Sequence, residues 1–134
     1  MSMNAVGPGG YPAQAARAVW ELPASLSEIE QEGDIEFMLS VISAFQEDSE
    51  SRLRVLGEAV DSGDTAAVRM QAHAIKGSAR EVGANELASI CAEIESKVGG
   101  QCITDLEEPI SRLVEQFRLV SDAMGAYRDS RVRV

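Results

Sequence analysis

The sequence predicts an all-α protein: an antiparallel up-down four-helix bundle with one or two short additional helices at its N-terminus. Three observations point there. Apolar residues recur every three or four positions along four segments, whereas no segment of useful length alternates with period two. Capping and turn residues divide those segments, leaving only short links between them. Aromatic residues are just 4% of the 134, so the core is built from Ala, Val, Ile, Leu and Met. Four amphipathic helices with short links bury their apolar faces most economically as an antiparallel bundle.

Residues 1–24 read as an N-terminal extension, 25–128 as the bundle and 129–134 as a tail. MSMNAVGPGGYP is a Gly/Pro-rich leader with little to bury. AQAARAVW is Ala-rich and forms a short helix ending in Trp20, expected to cap one end of the core. Pro23 breaks the chain, and Leu22, Leu26 and Ile29 follow at helical spacing. Gly33-Asp34 stops one helix and starts the next, with Asp34 as N-cap. From there Met38, Ile42, Phe45, Ser49, Leu53, Leu56 and Val60 mark one face of a long helix over Ile35 to Val60. Glu47, Asp48, Glu50 and Glu58 lie off that stripe, on a solvated face.

Asp61-Ser62-Gly63-Asp64 is a turn and a second N-cap, opening a helix from Thr65 to Val82 that stops at Gly83. Leu87, Ile90, Cys91, Ile94 and Val98 stripe the next helix, from Asn85 to the Gly99-Gly100 stop. Thr104 and Glu107 have capping-box spacing for a last helix. Its seam is Leu106, Ile110, Leu113, Phe117, Val120, Met124 and Tyr127. Pro109 falls near its first turn, and the end from Arg128 is expected to fray.

Charge and composition exclude several functions. With 22 acidic and 12 basic residues the net charge is -10, which argues against nucleic acid and anionic membranes as partners. No run approaches the ~20 apolar residues of a membrane span, and the N-terminus lacks a secretory signal. Two cysteines, Cys91 and Cys102, are too few for a disulfide framework, so a cytoplasmic setting is expected. One histidine and two cysteines do not supply the usual four zinc ligands, and no G-x-S-x-G nucleophile motif occurs. Most enzyme classes are therefore poor fits.

The informative stretch is Met70-Gln71-Ala72-His73-Ala74-Ile75-Lys76-Gly77-Ser78-Ala79-Arg80. At about 100° per residue, Val68, Ala72, Ile75, Ala79 and Val82 define the buried face and His73 lies about 140° from its centre. Helical geometry alone leaves His73 as an ordinary exposed polar residue. Its neighbours say more. Residues three, four and seven away share its patch, and these include Arg69, Lys76 and Arg80. Three cations disfavour a further positive charge on the ring, and a neutral imidazole has a lone pair for nucleophilic attack. Once phosphorylated, the ring would carry nearly two negative charges for Lys76, and more loosely Arg69 and Arg80, to stabilise. For Arg69, simple solubility explains the residue as well. Gly77 costs about 1 kcal/mol relative to Ala in mid-helix, yet lies one turn from His73 on the outer face, where it bares the backbone to an approaching protein. Met70 is apolar and outward-facing, and reads either as a partner contact or as packing on a neighbouring helix.

His73-Ala74-Ile75-Lys76-Gly77-Ser78, followed by Val82-Gly83-Ala84, Leu87, Cys91 and Glu95, resembles the signature of histidine-containing phosphotransfer (HPt) domains. Leu26, Gly33-Asp34, Phe45 and Leu53 also fit, so the resemblance spans about residues 25 to 125. It implies a four-helix bundle whose exposed histidine takes a phosphoryl group from the aspartyl phosphate of a receiver domain and passes it to another. Carried over, His73 is the phospho-acceptor, Lys76 the nearby cation and Gly77 the docking clearance. Ser78 is structural, its hydroxyl able to bond back into the helix, and Gly83 is the helix stop. Receiver domains, including one on a hybrid histidine kinase, are the implied partners of a monomer. Mg2+ is expected on the receiver, with no metal or cofactor on this chain and no ATP-dependent kinase activity of its own. The alternative is a docking module that regulates a receiver or histidine kinase without being phosphorylated. An enzyme working through a phosphohistidine would need a small-molecule pocket, for which so short a bundle has little space.

Overall fold

A computed structural model describes residues 19–99 and 103–131, and among these described residues five α-helices and one 3-10 turn follow one another. They are α1 (Ala24–Gln31), α2 (Ile35–Ser62), α3 (Thr65–Glu81), α4 (Asn85–Val98), the 3-10 turn Ile103–Leu106, and α5 (Glu107–Arg131). Helices α2 to α5 form the antiparallel four-helix bundle, α1 is the short extra helix, and the described residues contain no strand. The leader, the Ala-rich residues before Val19, Gly100, Cys102 and the last three residues lie outside the described residues.

Local chemistry sets the helix ends. The Asp34 carboxylate accepts from the Phe37 backbone N–H at 3.2 Å and the Asp64 carboxylate from that of Ala67 at 3.1 Å, so each satisfies an otherwise unpaired donor. Between α3 and α4 the chain reverses over only Val82, Gly83 and Ala84. Gly83 sits at φ +78, in the left-handed region, and a Cβ there would lie 3.1 Å from Pro23 Cβ. Both facts call for glycine at this position.

The apolar stripes converge on one core. Met38, Ile42, Phe45 and Leu56 of α2 are buried with Val68, Ala72, Ile75 and Ala79 of α3, Leu87, Ile90, Cys91, Ile94 and Val98 of α4, and Leu113, Val120 and Met124 of α5. Leu53 and Val60 are partly buried against it. Helix α3 packs most extensively on α4 and next on α2, while α5 closes against α4 and α2. Phe45 and Phe117 meet across the α2–α5 seam with ring centroids 6.3 Å apart.

Trp20 closes the end of the bundle. It is buried, donates from Nε1 to the Val82 carbonyl at 2.7 Å, and stands edge-on to Tyr127 at 6.0 Å. Residues 19–22 therefore belong to the bundle's packing, although the sequence assigns them to the extension.

Two boundaries differ from expectation. The last α-helix begins at Glu107, after the 3-10 turn, and not directly after Thr104 as the capping-box spacing predicts. In a continuous α-helix the Pro109 ring would clash with the Asp105 carbonyl. Starting at Glu107 puts Pro109 in the first turn, where no backbone N–H is needed. At the other end the expected fraying from Arg128 is corrected, since α5 runs to Arg131. Its guanidinium lies 4.5 Å from the Tyr127 ring centroid and pairs with Glu30 of α1. A cation in the last turn also suits the negative end of the helix.

Trp20→Phe removes the bond to Val82 and leaves that carbonyl without its donor, so urea unfolding should show a loss of about 1–3 kcal/mol. Gly83→Ala should cost at least about 1–2 kcal/mol through left-handed strain alone, with contact against Pro23 adding to it; an unchanged urea midpoint would contradict this account of the link.

Candidate functional site

Helix α3 is an uninterrupted run of 17 residues with His73 at its middle. Alanines at 72 and 79 keep its inner face small, and both are fully buried. His73 is on the other face, with 70% of its side chain exposed. On the adjoining α4, Glu95 follows Cys91 by one turn and reaches across the seam. Its Oε2 lies 2.7 Å from His73 Nδ1, and its Oε1 lies 2.5 Å from Lys76 Nζ. One carboxylate thus holds both residues of the H-x-x-K pair.

Burial pushes the Glu95 carboxyl up, and its bonds to Lys76 and His73 more than offset this, leaving it below the ordinary carboxylate range. The group is therefore an anion near neutrality, which only accepts hydrogen bonds. Nδ1 must then carry the proton and donate it to Oε2. In the neutral ring the lone pair is left on Nε2, on the exposed side. This geometry gives the site a nucleophilic nitrogen facing solvent, with its opposite ring nitrogen anchored.

The three cations expected around the ring are spread along the face in this geometry. Lys76 is only 17% exposed and already paired with Glu95. Arg69 leans away, with Nη2 3.1 Å from where a Cβ of Gly99 would stand, at the C-terminal end of α4. A cation there offsets the terminal carbonyls. Arg80 is exposed two turns beyond His73. The charged group in contact with the imidazole is an acid from another helix.

The remaining residues of the stretch sort clearly. A Cβ on Gly77 would meet nothing within 4 Å, so this chain's own packing does not require glycine. Met70 is 64% exposed, which removes packing on a neighbouring helix as its explanation. Ser78 is half-buried, and its hydroxyl makes no hydrogen bond back into the helix among the described residues. Gly83 is the helix stop at the far end.

Glu95 is the functional residue to which residue-by-residue reading assigned no role. The signal was present: on α4 it flanks the apolar stripe, one position after Ile94 and three before Val98. An acid at that edge faces whichever helix packs alongside. Cys91, behind it, is fully buried, and its thiol is pushed up to about 12 by burial and by Glu95. Among the described residues no cluster of His, Cys, Asp or Glu is arranged to hold a metal ion, and no helix is long and apolar enough to cross a membrane.

Comparison with known proteins places this geometry. The family model of the Hpt domain matches residues 40–126, a span that contains His73, Lys76 and Glu95. No curated protein sequence matches significantly. Among solved structures, the crystal structure of histidine-containing phosphotransfer protein B (HptB) from Pseudomonas aeruginosa PAO1 is similar, with a TM-score of 0.70 and 30% identity over 84% of this chain and 96% of that one. With an exposed histidine at mid-helix in a bundle matched over most of its length, the chain belongs to the Hpt domain family and is a histidine phosphotransfer protein of a phosphorelay.

Proposed function

We propose that His73 is the phospho-acceptor and that its Nε2 attacks the aspartyl phosphate of a response-regulator receiver domain, then yields the phosphoryl group to a second receiver. The observation that carries this is the anchoring of Nδ1 by Glu95 on a ring that is 70% exposed. Anchoring fixes the tautomer, so the lone pair sits on the outward nitrogen, and the rigid helix fixes its direction of attack. Phosphoryl transfer depends mainly on positioning and on stabilising charge. The receiver brings the acidic pocket and Mg2+, and this chain brings the nucleophile with no cofactor of its own.

Lys76, one turn along α3, is close enough to share its charge between Glu95 and an incoming phosphoryl group. Arg80 and Arg69 contribute at longer range. Met70 and Gly77 form the contact surface beside the ring, one offering an apolar side chain and the other a bare stretch of backbone. The chain acts as a cytoplasmic monomer, exchanges phosphoryl groups with receivers that include one on a hybrid histidine kinase, and does not phosphorylate itself from ATP. The net charge of -10 argues against nucleic-acid partners.

A phosphorylated receiver with Mg2+ should transfer label to the parent chain and none to His73→Gln. Label on the mutant equal to that on the parent would put the acceptor elsewhere. Regulation of a partner that survives His73→Ala unchanged would instead favour the unphosphorylated docking module. Gly77→Ala should raise stability by up to about 1 kcal/mol, as expected for an exposed mid-helix glycine. Gly77→Leu should fold as well as Gly77→Ala yet slow transfer, and equal transfer rates for the two would remove docking clearance as the reason for glycine.

A further inference from the structure

Resting on the assignment of His73 as phospho-acceptor, we infer that the Glu95 carboxylate keeps the proton on Nδ1 of the phosphorylated ring and so holds the phosphohistidine in the form that gives its phosphoryl group away. Glu95 is thereby a positioning residue for the second transfer as well as the first.

The bookkeeping of the bonds shows why. In the first transfer the Nε2 lone pair forms the N–P bond while the bond from phosphorus to the aspartyl oxygen breaks, its electron pair returning to the carboxylate. The ring keeps its Nδ1 proton and becomes a positively charged imidazolium bearing a phosphoryl dianion. In the second transfer the N–P bond breaks, its electron pair returns to Nε2, and the phosphoryl group passes to the carboxylate of the next receiver. If Nδ1 still holds its proton, the departing group is a neutral imidazole. If that proton has been lost to water, the departing group is an imidazolate anion, a far poorer leaving group. Whatever stabilises the Nδ1 proton thus keeps the carrier ready to discharge.

The charges around the ring single out Glu95 for this. From α4, its Oε2 is 2.7 Å from Nδ1. Cys91, on the same helix, is a buried neutral thiol and adds no charge. Glu93 and Lys97 are paired with each other and, through Glu93, with Arg112 of α5. From α3, Lys76 opposes Glu95 at 2.5 Å, while Arg69 lies by Gly99 and Arg80 is exposed further along. From α2, Arg52 bonds Gln71 at 3.1 Å and pairs with Asp48 at 2.9 Å. Glu95 is the anion in contact with Nδ1, and Lys76 is the cation that tempers it. An opposite charge within hydrogen-bond reach favours the charged form of its partner.

The chain has a single histidine, so its ring nitrogens give one unambiguous set of NMR signals. The whole 134-residue chain, 15N-labelled at histidine, is phosphorylated with phosphoramidate and its ring signals are followed from about pH 5 to about pH 9. In Glu95→Gln the Nδ1 proton should be lost about one pH unit lower than in the parent. In Lys76→Gln it should persist to higher pH. Discharge to a receiver should match between parent and Glu95→Gln at low pH, where both rings are protonated, and diverge to about tenfold slower as pH rises. Damage to packing alone would slow discharge equally at every pH. Coincident Nδ1 titrations, or a pH-independent slowing, overturn the inference. If Glu95→Gln does not fold, Lys76→Gln decides: an upward shift supports the inference and no shift overturns it. A parent chain whose His73 takes up no phosphoryl group overturns the acceptor assignment instead.

Discussion

His73 and Glu95 lie 22 residues apart on different helices, and their contact exists because the α3–α4 seam closes tightly. Val68, Ala72, Ile75 and Ala79 face inward on one side, and Leu87, Cys91, Ile94 and Val98 on the other. Each large aliphatic side chain buried this way stabilises the fold by roughly 1.5–3 kcal/mol relative to exposure. A largely covered ion pair such as Lys76–Glu95 gives back in desolvation much of what its attraction gains. The seam therefore holds the two helices together, and the carboxylate contacts follow from it. The link at Val82–Ala84, possible through the left-handed Gly83 and sealed by Trp20 and Pro23, keeps the helices in register.

That division of labour suits a carrier. The packing that fixes the ring lies entirely behind it, so nothing on the outer face has to move or be displaced when a partner arrives. Gly77 leaves that face open, and Met70 offers it an apolar contact. The site's electrostatics are equally local. A chain with a net charge of -10 places one acid against the ring and one lysine against that acid. The pair nearly cancels, so the resting site presents little net charge and the balance tips only when a phosphoryl group is added.

Stabilisation at the end of the bundle that holds the α3–α4 link has a different character. Trp20, Tyr127, Arg131 and Glu30 tie the segment before α1, helix α1 and the end of α5 into one cluster. Periodicity could not show this, because Trp20 precedes the regular stripes and Arg131 follows them. The 3-10 turn before α5 was hidden for a related reason. The Thr104–Glu107 spacing satisfies a capping box on paper, but Pro109 sets where an α-helix can begin, and steric exclusion outweighs a cap worth about 1 kcal/mol.

What the sequence determined by itself was whatever depends on neighbours within one helix. The 3.6-residue period located the four bundle helices, Asp34 and Asp64 marked two of their starts, and the angle from the buried stripe put His73 outside. These are local rules, acting over a turn or two of chain. Only the tertiary structure decided the ring's surroundings. Arg69, Lys76 and Arg80 share its helix face in one dimension, yet long side chains settle against the neighbouring helix, Lys76 on Glu95 of α4 and Arg69 beside Gly99 at its end. The distance between helices, set by the size of the residues buried between them, turned a patch read as cationic into an imidazole held by a carboxylate.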